Sequence, residues 1–250
     1  RAKLPAEELL ATIHEYDGLV VRSASKVTKE VIEAATNLKV IGRAGVGVDN
    51  IDIEAATAKG IIVLNAPEGN TIAATEHTVA MMLSMARNIP QAHSSVQNGE
   101  WKRNQFVGVE MRGKTLGVIG LGRIGSGVAK RAIAFDMKVI GYDPYVNEER
   151  AKTMGIEVVS LEEIYANADF ISVHMPLTAQ TKDLINSETI SKMKDGVYLV
   201  NCARGGIINE ADLAEAVKAG KVAGAAIDVF PKEPIEPNSP LLGVDKIVLT

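Results

Sequence analysis

Three glycines, Gly120, Gly122 and Gly125, form a G-x-G-x-x-G run, and a lone aspartate, Asp143, follows eighteen residues after the last of them. Glycines at that spacing let a chain turn tightly and bring backbone N–H groups against a phosphate. A carboxylate at that offset can accept from the hydroxyls of a ribose. Further along, Arg204 in "LVNCARGGIINE" carries a planar donor fork that suits a carboxylate or a 2-oxo acid. Asp228 and Glu233 in "AAIDVFPKEP" add two carboxylates just beyond another apolar run.

Each of these groups follows a stretch that reads as a strand. The glycine run comes after "TLGVIG" and opens "RIGSGVAKRAIAF", and strand-then-helix is the context that makes this motif a dinucleotide site. Gly120 permits the turn, Gly122 admits the pyrophosphate, and Gly125 lets helix and strand pack closely. Asp143 ends "KVIGYD", and its charge would repel a 2′-phosphate, so the expected cofactor is NAD rather than NADP. From Lys114 onward "TLGVIG", "KVIGYD", "DFISVHM", "GVYLVNCA", "VAGAAIDVF" and "KIVLT" alternate with helical patterns, which predicts a parallel sheet covered on both faces. Arg204 lies past the carboxyl end of "VYLVNCA", where open α/β sheets place their ligands. "NEADLAEAVKAGK" predicts a helix capped by Asn209 and stopped at Gly220.

An earlier block, Asp17 to Asn65, has the same βαβ rhythm on a smaller scale: "GLVVRS", "TKEVIEAATN", "LKVIGRAG", "IDIEAATAKG" and "IIVLNA". Between the blocks a helical pattern runs from Thr71 to Asn98 as a connector, and Pro90 is expected to bend or split it.

Composition sets outer bounds. The chain has 250 residues, 46% hydrophobic and 23% charged, with a net charge of −4 of scattered sign, which argues against a nucleic-acid partner. With Cys202 alone no intrachain disulfide can form, and a reducing cytoplasm is the expected setting. No apolar run approaches the length of a membrane span and no signal peptide is visible, so no membrane partner is expected. No metal ligand set is expected either. The chain opens without methionine on "RAKLPAEELLATI", an amphipathic helix, and closes on the strand "DKIVLT", so a fragment is expected.

Taken in order, "RAGVGVDNID", "GKTLGVIGLGRIG", "GYDP", "VHMPLT", "NCARGG" and "DVFPKEP" resemble the NAD-dependent D-2-hydroxyacid dehydrogenase family over nearly the whole chain. The resemblance implies an α/β fold of two lobes: a doubly wound, parallel-sheet Rossmann NAD domain and a smaller flavodoxin-like substrate domain, here incomplete. The expected division is residues 1–68 for the substrate domain and 69–250 for the NAD domain, with the connector helix at 71–98. Arg204 is then implied to grip the carboxylate and carbonyl of a 2-oxo acid. Glu233 is implied to hold a catalytic histidine and raise its pKa, and that histidine takes the hydroxyl proton as hydride leaves C2. The family carries it in a Pro-His-x-Gly turn directly after the strand matching "KIVLT". Since the chain ends at Thr250, NAD binding with little turnover is expected of it.

The same resemblance distributes further roles. Backbone N–H groups of Arg123 and Ile124 would meet the pyrophosphate. Met175 and Pro176 would line the adenine side, Cys202, Ala203 and Asp228 would border the nicotinamide, and Val46 would approach it. His174 would be part of the NAD-site wall. His77 reads as a packed or capping side chain, and His14 and His93 as surface helix residues. Arg22, Ser23 and Arg43, which end or follow strands of the first block, would meet the phosphorylated substrate, and Arg103 would reach in from a partner subunit. The expected reaction is oxidation of 3-phospho-D-glycerate to 3-phosphohydroxypyruvate, the first step of serine biosynthesis. A glyoxylate or hydroxypyruvate reductase, or an NAD(H)-sensing scaffold of the corepressor kind, is the alternative. A homodimer or homotetramer is expected from the long helix Thr71–Asn98 and its apolar "AMMLSMA", which a monomer of this family would leave exposed; the alternative is that the run packs between the two lobes.

Overall fold

The structure, a computed structural model, describes residues 4–250; the first three residues of the expected N-terminal helix lie outside them. It divides into two compact units, one ending at Thr71 and the other running Ile72–Thr250.

In the first unit three parallel strands, β1 (Gly18–Val21), β2 (Val40–Arg43) and β3 (Ile62–Asn65), lie in chain order. They are joined through α2 (Lys29–Ala34) and α3 (Ile53–Ala58), with α1 (Ala6–Thr12) ahead of them. Asp52 starts α3 by accepting from the Ala55 N–H, a cap that satisfies one of the donors a helix start leaves over. Val21 and Ile41 point to the helix side and pack with Leu9, Ile13, Val31, Ile32 and Ala56. Strand residues alternate between faces, so Val20, Ile62 and Leu64 point the other way and stay 77%, 61% and 57% exposed.

The second unit is built on seven parallel strands: β4 (Thr115–Ile119), β5 (Lys138–Tyr142), β6 (Glu157–Val158), β7 (Phe170–Val173), β8 (Val197–Asn201), β9 (Val222–Ile227) and β10 (Ile247–Leu249). Their spatial order is β10-β9-β8-β7-β4-β5-β6. The chain therefore starts mid-sheet, runs out to β6, returns beside β4 as β7, and continues the opposite way. One face is covered by α8 (Leu161–Asn167), α9 (Ser187–Ser191) and α10 (Glu210–Lys218), burying Ile164, Ile190 and Leu213. The other is covered by α4 (Thr71–Ala86), α6 (Arg123–Ala134) and α7 (Glu148–Thr153), burying Met82, Val128 and Ala151. Burial on both faces is why these strands read as continuous apolar runs. Asn209 caps α10 by accepting from Asp212, and Gly220 follows in the left-handed region at φ 78°.

The connector is split, as expected, but not at the proline itself. Its two helices are α4 and α5 (Ile89–Gln97), and the chain turns at Asn88 (φ 51°), ahead of Pro90. A proline is tolerated in the first turn, where no N–H is needed, so the break falls before it. The "AMMLSMA" run is not left bare: Met81, Met82, Met85 and Ala86, with Val79 just before it, are buried within their own unit. Its apolar positions fall at the i, i+3, i+4 spacing of one helix face, and that face packs on the sheet. No helix among the described residues is long and apolar enough to cross a membrane.

Candidate active site

Between β4 and β7 the chain leaves the sheet in opposite directions, which opens a crevice at the carboxyl ends of these two strands. Gly120 follows β4, donates its N–H to the Tyr142 carbonyl at 2.7 Å, and adopts φ 99°. A β-carbon there would lie 2.7 Å from the His174 carbonyl oxygen, so both conformation and space call for glycine. Gly125, buried in the first turn of α6, is tighter still: a β-carbon would come within 1.9 Å of the Gly120 carbonyl oxygen. Gly122 is different. Its added β-carbon would meet nothing within 4 Å, so it marks the open side of the loop. Helical bonding in α6 begins with Ser126 donating to the Gly122 carbonyl at 2.9 Å, and the positive end of the helix dipole thus opens onto that side.

Asp143 lies one residue past β5 and is pinned to the same loop. One carboxylate oxygen accepts from the Leu121 N–H and the other from the Tyr145 N–H, both at 2.8 Å. Ser126 Oγ in turn donates to the Leu121 carbonyl at 2.8 Å. A carboxylate has about four acceptor positions, so each oxygen keeps capacity for a sugar hydroxyl. This lock through Leu121 is invisible in a sequence motif, because it is made by backbone groups.

His174 directly follows β7; its N–H donates to the Ile119 carbonyl at 2.7 Å and its Nε2 lies 2.8 Å from Ser172 Oγ. Burial pushes its imidazole down to about 4, so it is neutral at pH 7. An unfolded histidine protonates near 6.5 while the folded one resists, so the native state loses stability as pH falls from about 6.5 toward about 4. Urea unfolding at pH 7 and pH 4.5 is expected to show His174→Gln removing about 2 kcal/mol of that acid sensitivity. An identical acid-side slope in the variant would refute this.

Across the crevice, Asn201, at the end of β8, is 2% exposed and clamps the Arg204 loop: its Oδ1 accepts from the Ala203 N–H at 3.0 Å and its Nδ2 donates to the Arg204 carbonyl at 2.9 Å. The guanidinium Nη1 of Arg204 donates to the Ala203 carbonyl at 2.7 Å. A β-carbon on the next residue, Gly205, would lie 2.0 Å from the Phe230 carbonyl carbon. The loop after β8 thus presses backbone to backbone on the loop after β9. The latter carries Glu233, whose Oε1 accepts from the Phe230 N–H at 3.3 Å. Asn201 and Gly205 were not singled out by motif reasoning; an amide ending an apolar strand before a glycine pair is the signal that could have found them.

Cys202 and Asp228 stand side by side past β8 and β9. Burial pushes the Cys202 thiol up to about 12, although a hydrogen bond with Thr78 works the other way. Iodoacetamide at pH 7.5 is therefore expected to label Cys202 at least a hundredfold more slowly than a free thiol of pKa about 8.5. Mass spectrometry against a glutathione standard tests this, and rapid labelling would contradict it. Asp228 Oδ1 accepts from Thr250 Oγ1 at 2.7 Å and lies 3.2 Å from His77 Nε2. His77 is thus neither packed nor capping: its side chain is 41% exposed and engaged at the strand ends, because its position on α4 faces β9 and β10 rather than the core.

In the first unit, Arg43 at the end of β2 donates from Nη2 to Ser23 Oγ at 3.0 Å and from Nη1 to the Ala44 carbonyl at 2.9 Å. Its Nε is buried without a hydrogen-bond partner among the described residues. Arg22, just past β1, is exposed, and its carbonyl accepts from Asn50 at 3.1 Å. The Val46 carbonyl accepts from Asn65 Nδ2 at 2.7 Å. Ser23 and Arg43 are thereby joined. In the second unit Arg103 opens a 3-10 turn, Arg103–Phe106, and is exposed beside Trp101, which is 79% exposed.

Comparison with known proteins accords with this geometry. D-3-phosphoglycerate dehydrogenase of Archaeoglobus fulgidus is 57% identical over 244 residues, 98% of this chain and 46% of that protein. The Bacillus subtilis protein of the same name is 58% identical over 222 residues, 89% of this chain and 42% of that protein. The chain thus spans about half the length of the curated relatives it matches. Among solved structures, D-lactate dehydrogenase of Aquifex aeolicus, crystallised with NAD and lactic acid, superposes with a TM-score of 0.88 at 34% identity, covering 100% of this chain and 78% of that one. Residues 79–250 match the model for the NAD binding domain of D-isomer specific 2-hydroxyacid dehydrogenases. A loop that only glycine fits at Gly120 and Gly125, a helix start facing it and a carboxylate pinned beside it suit the coenzyme of that domain, and the chain belongs to the D-isomer specific 2-hydroxyacid dehydrogenase family.

Proposed function

We propose that this chain carries the coenzyme site and part of the substrate site of an enzyme that oxidises 3-phospho-D-glycerate to 3-phosphohydroxypyruvate. The observation that carries the reading is the row of groups along the carboxyl ends of adjacent strands: Asp143 beyond β5, Gly120 beyond β4, Cys202 to Arg204 beyond β8, and Asp228 beyond β9. NAD, when bound, supplies the hydride acceptor. Asp143 holds the adenosine ribose, and Gly120, Gly122, Arg123, Ile124 and Gly125 present the loop and helix start to the pyrophosphate. Met175 and Pro176 line the adenine side. Cys202, Ala203 and Asp228 border the nicotinamide, and Val46 is a further proposed coenzyme contact.

Arg204, held in place by Asn201, binds the carboxylate of the hydroxy acid, and Glu233 orients the group that accepts the hydroxyl proton. Arg22, Ser23 and Arg43 bind the substrate phosphate, and the existing link from Arg43 to Ser23 supports this pairing. Arg103 reaches the substrate from a partner subunit in a homodimer or homotetramer. Ile89, Val96, Trp101 and Val107, each more than half exposed around that segment, support self-association there. The cytoplasm is the proposed location, consistent with a single cysteine that carries no disulfide.

Arg43→Ala tests the substrate assignment. Made in the intact enzyme, the loss of a charge-assisted contact to phosphate is expected to lower kcat/KM for 3-phosphoglycerate by about 10- to 100-fold. The variant should change turnover of unphosphorylated hydroxypyruvate by less than about threefold. Equal losses on both substrates would remove Arg43 from the phosphate site. A hundredfold preference of the unaltered enzyme for glyoxylate or hydroxypyruvate would instead make it a reductase of the same family.

A further inference from the structure

One side-chain cluster in the second unit is not used by the dehydrogenase reading as a cluster. A ring nitrogen of His77, Cys202 Sγ and a carboxylate oxygen of Asp228 all lie within 4.8 Å of one another, and all three residues are partly exposed. We propose that they form a binding site for a zinc-type divalent cation, one that closes the nicotinamide end of the crevice. Imidazole nitrogen, thiolate sulfur and carboxylate oxygen are the three ligand classes that Zn²⁺ takes from proteins. Bonds of about 2.0 to 2.3 Å at tetrahedral angles put ligand atoms about 3.3 to 3.6 Å apart. His77 Nε2 and Asp228 Oδ1 stand at 3.2 Å already.

The three residues are also placed by rigid elements. His77 is inside the 16-residue helix α4, while Cys202 and Asp228 directly follow strands β8 and β9. Asn201 and Ile227, the residues before them, are register partners, and the Asp228 N–H donates to the Asn201 carbonyl at 3.0 Å. A thiolate and a carboxylate together carry two negative charges, which balance a divalent cation beside a neutral imidazole. Binding releases the thiol proton to solvent as the metal–sulfur bond forms. Thr250 Oγ1, 2.7 Å from Asp228 Oδ1 and 3.2 Å from His77 Nε2, would give up its bond to the carboxylate and leave a fourth position open. A thiolate ligand favours zinc, cobalt or cadmium over magnesium.

Because Cys202 and Asp228 also border the proposed nicotinamide position, cation and coenzyme would exclude one another. That consequence rests on the coenzyme reading above; the cation site does not. The test is a Co²⁺ titration of the coenzyme-free chain, read by its thiolate-to-cobalt charge-transfer absorption. One equivalent is expected to saturate the band and Zn²⁺ to bleach it, while Mg²⁺ leaves it unchanged. Cys202→Ser is expected to abolish the band. His77→Ala, at a partly exposed position, should keep the melting temperature and weaken cobalt binding at least tenfold. No band, or undiminished affinity in His77→Ala, overturns the site. In a separate NAD titration, one equivalent of Zn²⁺ should raise the apparent Kd at least tenfold, and His77→Ala should remove that effect. A normal cobalt band with NAD affinity indifferent to zinc would overturn the exclusion and the nicotinamide placement while the cation site stands.

Discussion

Gly125→Ala will unfold at a markedly lower temperature and lose measurable NAD binding. The added β-carbon would sit 1.9 Å from the Gly120 carbonyl oxygen, closer than any relaxed contact allows. Neither partner is a flexible side chain. Gly125 is in the first turn of α6, and Gly120 is held by its bond to Tyr142 and by the neighbouring His174 backbone. Helix and strand must separate, at a cost of about 3 kcal/mol, and the loop they define is displaced with them. Gly122→Ala is the control. It has φ −65° and open space where its methyl group would project, so its stability should stay within about 0.5 kcal/mol of the parent. Its NAD affinity should nonetheless fall about tenfold or more, because the methyl group occupies the side the pyrophosphate would approach. Thermal melts and calorimetric titration of both variants decide the matter. A Gly122→Ala chain that binds NAD as tightly as the parent would show that the coenzyme does not cross this loop.

Asp143→Ala is expected to raise the Kd for NAD by about 10- to 100-fold, the loss of one charge-assisted contact. Some of that loss comes through the loop, since the carboxylate also holds the Leu121 and Tyr145 N–H groups. Asp143→Asn keeps the shape of the side chain while weakening both contributions. The amide has one carbonyl oxygen for these two N–H donors and no negative charge, so its melting temperature and its NAD affinity both report how much the lock matters. Selectivity is the sharper readout. The parent should prefer NAD over NADP by at least tenfold, and removing the charge that repels a 2′-phosphate should bring the two within about threefold. A parent that favours NADP would sink the assignment of this residue.

How legible all this is in the sequence depends on how the information is carried. Strands β4, β5, β7, β8 and β9 are continuous apolar runs because both faces are covered, and their boundaries are readable within a residue or two, except that β9 stops three residues before the end of "VAGAAIDVF". The cap at Asn209 and the stop at Gly220 are local side-chain and backbone chemistry, so α10 is readable as well. Strand β6, two residues long, and α9, five residues long, are too short for a period to show. The turn at Asn88 went unread because Pro90 is the louder signal, although a proline fits comfortably in the first turn after the break. For the site, the sequence positions Gly120, Asp143, Arg204 and Asp228 at strand ends, and there the structure finds them. The coenzyme roles of Gly120 and Asp143 follow from motif spacing, whereas the specific roles of Arg204 and Asp228 came from family resemblance. The Asn201 clamp and the engagement of His77 with Asp228 depend on which strands become neighbours, which no local pattern states.

The contact of Gly205 with the Phe230 carbonyl has an implication for anyone reshaping this chain. Two polypeptide segments that touch through main-chain atoms behave as one mechanical part, so the guanidinium of Arg204 and the carboxylate of Glu233 ride on a shared chassis. Grafting a foreign segment at either position alone would leave it fouling its neighbour. Transplanting both together would carry the whole jaw across intact.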